Sequence, residues 1–111
     1  MKRVFIESSS FSKRAGQEDP SVLREVQLEI LKHPAGGDLI QGTGGLRKIR
    51  LKDPSRGKGK RGGFRVVYLD LSDIEKTYLL AMYDKNEKGD ISGDEKKMLK
   101  KLVQIIKREA M

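Results

Sequence analysis

The sequence predicts an α+β domain in which a small, antiparallel-dominated sheet packs with N-terminal and C-terminal helices. Three observations lead there. Four runs, RVFIE, LRKIRL, FRVVYLDL and TYLLAMY, have the β-branched and aromatic content or the two-residue alternation of strands. Two other segments, opening at Asp19-Pro20 and at Ser92, repeat apolar residues at helical spacing. The last three strand runs are separated only by turns and loops, so they read as an antiparallel meander between helices.

Arg3 to Glu7 is most simply an edge strand, and Ser8 to Gly16 has room for a short helical turn. Asp19 can cap a helix by accepting backbone N–H bonds, while Pro20 at the first helical position has no N–H to leave unpaired. Val22, Leu23, Val26 and Ile30 then share one face, and Pro34 with Gly36-Gly37 ends the helix, giving residues 20–33. Along Leu46 to Leu51, Ile49 and Leu51 share one face and Lys48 and Arg50 the other. Lys52 to Gly63 holds Pro, Ser and four Gly and reads as a loop or long hairpin tip. Phe64 to Leu71 follows as a strand, Ser72 to Lys76 as a turn and Thr77 to Tyr83 as the third strand of the meander. Ser92 and Glu95 form a capping box. The helix it opens carries a broad apolar stripe of Met98, Leu99, Leu102, Val103, Ile105 and Ile106, with Lys96, Lys97, Lys100, Lys107 and Arg108 on a face that reads as solvated.

A chain of 111 residues suits a single domain spanning 1–111, able to bury about 65% of its unfolded surface. The absence of cysteine excludes disulfides, zinc-thiolate sites and thiol nucleophiles. The N-terminal MKRVFIESSSF has too short an apolar run for a signal peptide, and no later run approaches a membrane span, so the expected location is the cytoplasm.

Charge is distributed unevenly. Of 24 Lys and Arg and 16 Asp and Glu, the stretch Gly44 to Arg65 takes nine and one, so the other 89 residues hold 15 of each. The whole net charge of +8 therefore sits in one patch: Arg47, Lys48, Arg50, Lys52, Arg56, Lys58, Lys60, Arg61 and Arg65 against Asp53. A solvated loop could carry such a run, but here the cations continue into strands on both sides. That pattern suits a polyanion, because each neutralised phosphate releases a condensed counterion.

The glycine-rich pieces Gly42-Thr43-Gly44-Gly45 and Gly57 to Gly63 lack the Gly-Lys-Ser/Thr step of a phosphate loop, so nucleotide hydrolysis is not expected. Asp84 to Glu95, DKNEKGDISGDE, matches much of a twelve-residue calcium loop, with Asp73 to Tyr83 redrawn as the preceding helix. Lys88 at its fifth position puts an ammonium where a ligand oxygen belongs. The lone His33 has no Cys or His partner and suits a helix end, and no triad or metal set accompanies the basic patch.

Lys, Arg and Tyr nevertheless suffice for one reaction. RNA supplies its own nucleophile, the 2′-hydroxyl, so a protein need only orient it, help remove its proton and stabilise charge on the scissile phosphate. Crowded cations disfavour protonation of one another, which makes Lys48, Lys58 or Lys60 a possible base. Arg50 and Arg65 suit phosphate clamping, and Tyr83 could stack on a base or donate a proton.

The segments GDLIQGTGGLRKIRL, GKGKRGGFRVVY and YLLAMYDKNEKGDIS, in that order, resemble the HigB branch of the RelE superfamily, toxins of type II toxin–antitoxin systems. The resemblance covers nearly the whole chain. It implies a compact RelE-like microbial ribonuclease fold that cuts mRNA in the ribosomal decoding site, without metal or other cofactor, leaving a cyclic phosphate and a 5′-hydroxyl. It also implies a cognate helix-turn-helix antitoxin of the HigA type. By motif, Lys48 and Arg50 match the family's basic strand and Arg65 the arginine of its G-[FY]-R-[LV]-V-Y strand. Lys85-Asn86-Glu87-Lys88 stands where RelE has K-R-E-R, and Ile91 replaces a later tyrosine, so Tyr83, Lys85 and Asn86 remain the candidates for proton transfer. Arg47, Lys58, Lys60, Arg61 and Lys88 are then expected to grip ribosomal RNA.

Overall fold

Strand β4 (Phe64–Leu71) runs through the middle of a five-stranded sheet and is buried on both faces for its first six residues. Its near-continuous apolar run is what a doubly covered strand requires. A computed structural model describes residues 3–51, 63–85, 87 and 89–110. The elements follow in the order β1 (Val4–Glu7), α1 (Ser9–Ala15), α2 (Pro20–Lys32), β2 (Asp38–Leu39), β3 (Arg47–Leu51), β4, a 3-10 turn (Ser72–Ile74), β5 (Lys76–Asp84) and α3 (Gly93–Ala110). The sheet order is β1-β5-β4-β3-β2, with β1 parallel to β5 and the other pairs antiparallel.

The expected α+β architecture is present, with the meander β3-β4-β5 at its centre and β1 at an edge. The short helical turn expected within Ser8 to Gly16 is a seven-residue helix, Ser9–Ala15, and one feature was not expected: Asp38–Leu39 adds a short strand beside β3. The expected loop at Lys52 to Gly63 falls, for residues 52–62, outside the described residues.

Helices cover opposite faces. Phe11 of α1 and Val22, Val26 and Ile30 of α2 pack on Ile49, Leu51, Phe64, Val66, Tyr68, Leu79 and Met82. On the other face Val103 and Ile106 of α3 join Leu46, Val67, Leu69, Leu80, Tyr83 and Ile91. Both expected caps form. Asp19 accepts from Ser21 N–H at 2.9 Å, and Ser92 and Glu95 exchange backbone bonds at 3.0 and 3.1 Å. The apolar stripe of α3 is narrower in use than its sequence suggests, because Met98 and Ile105 are 72% and 47% exposed. Lys107, on the face read as solvated, donates to the Gly44 carbonyl.

One irregularity sets the sheet's chemistry. Val67 pairs with Ala81 but Tyr68 pairs with Leu79, so Leu80 is an extra residue in β5. A bulge of this kind resets the alternation of side chains. Leu79 and Met82, three apart, both face α1 and α2, which leaves Tyr83 on the α3 face. Ser8 anchors the bulge: its Oγ donates to the Leu80 carbonyl at 2.9 Å and accepts from Phe11 N–H at 3.0 Å as the cap of α1.

The approach to β3 is held from below. Tyr68, fully buried, donates from its hydroxyl to the Pro34 carbonyl at 2.9 Å and accepts from Gly37 N–H at 3.1 Å. A Cβ on Gly37 would lie 2.9 Å from both that oxygen and Ile49 Cγ2. Tyr68→Phe leaves the Gly37 N–H and Pro34 carbonyl without their partner and is expected to destabilise the fold by about 1–3 kcal/mol. Gly37→Ala is expected to do at least as much through steric displacement. Chemical denaturation checks both, and a wild-type midpoint in either variant would show that this junction does not hold the 34–37 turn.

Candidate functional site

Strand alternation gives Lys48 and Arg50 a common face, and register supplies their neighbours. Arg50 pairs with Arg65 across β3–β4, and Arg65 pairs with Tyr83 across β4–β5. Arg50, Arg65 and Tyr83 thus form one cross-strand row on the α3 face, with Lys48 two residues along β3. The row runs inward from exposed Arg50 to Arg65, 8% exposed, and Tyr83, 3% exposed. Like charges directly opposite on neighbouring strands are destabilising. An arginine pair kept in that position, one member buried, departs from the local rules for a stable sheet and has the features of an anion site.

Asp90 closes the row. Its Oδ1 accepts from Ile91 N–H at 2.8 Å and from the Tyr83 hydroxyl at 3.5 Å, and lies 3.4 Å from Lys48 Nζ. The Ile91 N–H holds the Asp90 carboxyl below the usual carboxylate range, helped by Lys48 and Tyr83 and opposed by slight burial. Burial pushes the Tyr83 phenol up, the neighbouring Asp90 charge adds to this, and Arg65 opposes it. The phenol therefore keeps its proton at neutral pH, the state a proton donor to a leaving oxygen needs.

The other candidates are placed differently. Arg47 pairs with Tyr68 on the opposite face and donates to the Gly37 carbonyl at 2.9 Å. Lys85, exposed, follows β5 in a turn and its N–H reaches the Gly63 carbonyl at 3.5 Å. Lys58, Lys60, Arg61, Asn86 and Lys88 lie outside the described residues. Ile91 is buried beside Tyr83 in the α3 core. Asp90 was not singled out from sequence. Within DKNEKGDISGDE it is one acid among several, and only the fold carries it to Lys48 and Tyr83.

One motif reading is corrected, and the readings of the glycine turn and of His33 hold. The calcium loop needs a helix before Asp84, but Lys76–Asp84 is a strand, Asp84 is buried opposite Phe64, and the Glu95 carboxylate accepts from Ser92 N–H. Glu87, in the same loop, pairs with Arg14. Gly42 to Gly45 forms the β2–β3 turn. Gly42, Gly44 and Gly45 take φ of 75°, 82° and 117°, conformations that favour glycine, while the Thr43 hydroxyl donates to the Ile40 carbonyl at 2.6 Å. His33 caps the C-terminus of α2, its N–H donating to the Glu29 carbonyl at 3.1 Å.

No protein-family model matches the chain. Solved structures with a similar fold include the isolated E. coli RelE toxin, at 16% identity with a TM-score of 0.55 over 91% of this chain and 99% of that one. An arginine-to-alanine double variant of E. coli RelE in the free state matches at 16% identity and a TM-score of 0.57, covering 80% of this chain and 90% of that one. RelE in the intact E. coli RelBE toxin–antitoxin complex matches at 16% identity and 0.54, covering 73% and 94%. At such identity the likeness concerns architecture: the chain has the α+β fold of the RelE toxin structures.

Proposed function

We propose that the chain is the toxin of a type II toxin–antitoxin pair, a HigB-branch member of the RelE superfamily and a ribosome-dependent mRNA endonuclease. The observation that carries this reading is the Arg50–Arg65–Tyr83 row with Lys48 beside it, set in a RelE-like fold. Mirroring the expected chemistry, the 2′-hydroxyl of bound mRNA attacks the adjacent phosphorus. A base, for which Lys48 is a candidate, takes the hydroxyl proton. Arg50 and Arg65 stabilise the charge that gathers on the phosphoryl oxygens. The bond to the 5′-oxygen breaks and Tyr83 protonates that oxygen, with Lys85 and Asn86 the other candidates for this role. The nucleophile comes from the substrate, so the scheme needs no metal or cofactor. Lys58, Lys60, Arg61, Lys88 and Arg47 are assigned to gripping ribosomal RNA. The similar fold of RelE in the E. coli RelBE complex and in a complex with an antitoxin peptide supports an antitoxin partner, here proposed to be a helix-turn-helix protein of the HigA type. The proposed setting is the cytoplasm, and among the described residues no helix is long and apolar enough to cross a membrane.

Primer extension on a defined mRNA in a reconstituted translation system, with and without ribosomes, tests the reading. Cuts are expected only with ribosomes and at a fixed codon position. Arg65→Ala is expected to slow cleavage about 10²–10³-fold, as for removal of one transition-state donor. Ribosome affinity should largely persist, its logarithmic salt slope falling by about one. Ribosome binding without cuts at any codon would instead identify a non-catalytic RNA-binding module.

The pH dependence gives a second check. The Tyr83 phenol is raised above its ordinary value of 10.0, so as an acid it stays protonated and imposes no loss of rate between about pH 7 and 9. Tyr83→Phe is expected to lower single-turnover cleavage about 10²-fold across that range. An unchanged rate would move the acid role to Lys85 or Asn86.

A further inference from the structure

We infer that the Asp90 carboxylate is a built-in occupant of a phosphate seat: in the free protein its Oδ1 stands where an RNA phosphate oxygen lands between Lys48 and Tyr83, and RNA binds by exchanging one anion for the other. This rests on the function proposed above and deepens it.

Convergence on one oxygen is the first support. Lys48 Nζ and the Tyr83 hydroxyl come from strands β3 and β5, on either side of Arg65, and both are directed at the same Oδ1. Two donors of the candidate machinery thus already bind an anion supplied by the chain itself. Burial is the second. The Asp90 side chain is 64% exposed, whereas that of Lys48 is 16% exposed and Tyr83 is 3% exposed. The carboxylate is an outward-facing plug on inward-facing donors.

The geometry also favours release. The short bond, 2.8 Å, is to Ile91 N–H, on the same piece of chain as Asp90, while the bonds to the sheet are long at 3.4 and 3.5 Å. An exposed carboxylate gains little from such contacts. Among the described residues, a Cβ built on Gly89, the preceding residue, would meet nothing within 4 Å. Beside the seat lies an open hollow of about 290 Å³, lined by Asp38, Ile40, Lys48, Asp90 and Lys96 among others. An incoming phosphodiester replaces the lost charge and can reach Arg50 as well, which Asp90 is not seen to touch.

A competitor and a tether differ in sign. If Asp90 merely fastened the loop, its loss would loosen the site and weaken RNA binding; if it competes, its loss tightens binding. The measurement is fluorescence anisotropy with a short single-stranded RNA, 2′-deoxy at every nucleotide next to a potential cut and therefore uncleavable. The proteins are wild type, Asp90→Asn, Lys48→Ala, the double variant, and Asp73→Asn as a remote charge control. Asp90→Asn is expected to tighten binding about two- to fivefold, the range open to an exposed ion pair. Asp73→Asn should change affinity less, and the gain should vanish in the Lys48→Ala background. An Asp90→Asn affinity equal to or weaker than wild type overturns the inference. So does a gain matched by Asp73→Asn or undiminished without Lys48, since either would reflect bulk charge. If Lys48→Ala weakens binding while Asp90→Asn does not tighten it, the inference fails and the proposed function stands. RNA binding that is absent from all five proteins, or indifferent to Lys48, overturns the inference, while the proposed function is judged separately by the ribosome-dependent cleavage assay.

Discussion

Side chains alternate along a strand, so a single extra residue reverses the face on which every later one stands. In β5 that residue is Leu80, held by the Ser8 hydroxyl at the cap of α1. Counted from Leu79 without the bulge, Tyr83 would join the α1/α2 core and Met82 would face α3. With it, Tyr83 lies opposite Arg65 and beside Asp90. The candidate site thus depends on a bond made by a residue on the N-terminal segment, at the cap of α1.

The same sheet carries opposing demands. Its centre is a doubly buried strand whose apolar residues supply much of the packing on both faces. At the Phe64 end of that strand the pattern breaks: Arg65 occupies a buried position and faces Arg50. Apolar residues there would remove the repulsion. Lys48, the Tyr83 phenol and the Asp90 carboxylate complete a cluster of charged and polar groups around an otherwise ordinary core. Such a local conflict is where binding or chemistry is commonly found.

Much of this was legible in the sequence. Asp19-Pro20 and Ser92–Glu95 announce helices through backbone groups that local side chains satisfy, and they act the same way in the fold. LRKIRL and FRVVYLDL state their strands by alternation and by continuous apolarity. Their adjacency in the meander makes the Arg50–Arg65 pairing a matter of hairpin register. What stayed hidden had non-local causes. Asp38–Leu39 is a strand because β3 lies beside it and Tyr68 holds the preceding turn, not because of its own composition. Met98 and Ile105 read as core, yet α3 spans the sheet with its other apolar residues turned inward. DKNEKGDISGDE matched a metal loop because carboxylate spacing ignores direction, whereas in the fold its acids turn to a helix cap, to Arg14 and to Lys48.

The sequence by itself determined the element types, the concentration of cations and the shared face of Lys48 and Arg50, because propensity, capping and strand alternation act over a few residues. Only the tertiary structure decided that Arg47 holds the Gly37 carbonyl, that Tyr83 reaches Arg65 through a bulge, and that Asp90 sits against both Lys48 and Tyr83. Those outcomes depend on strand register and on loops crossing a sheet, where residues tens of positions apart meet and no local pattern records the meeting.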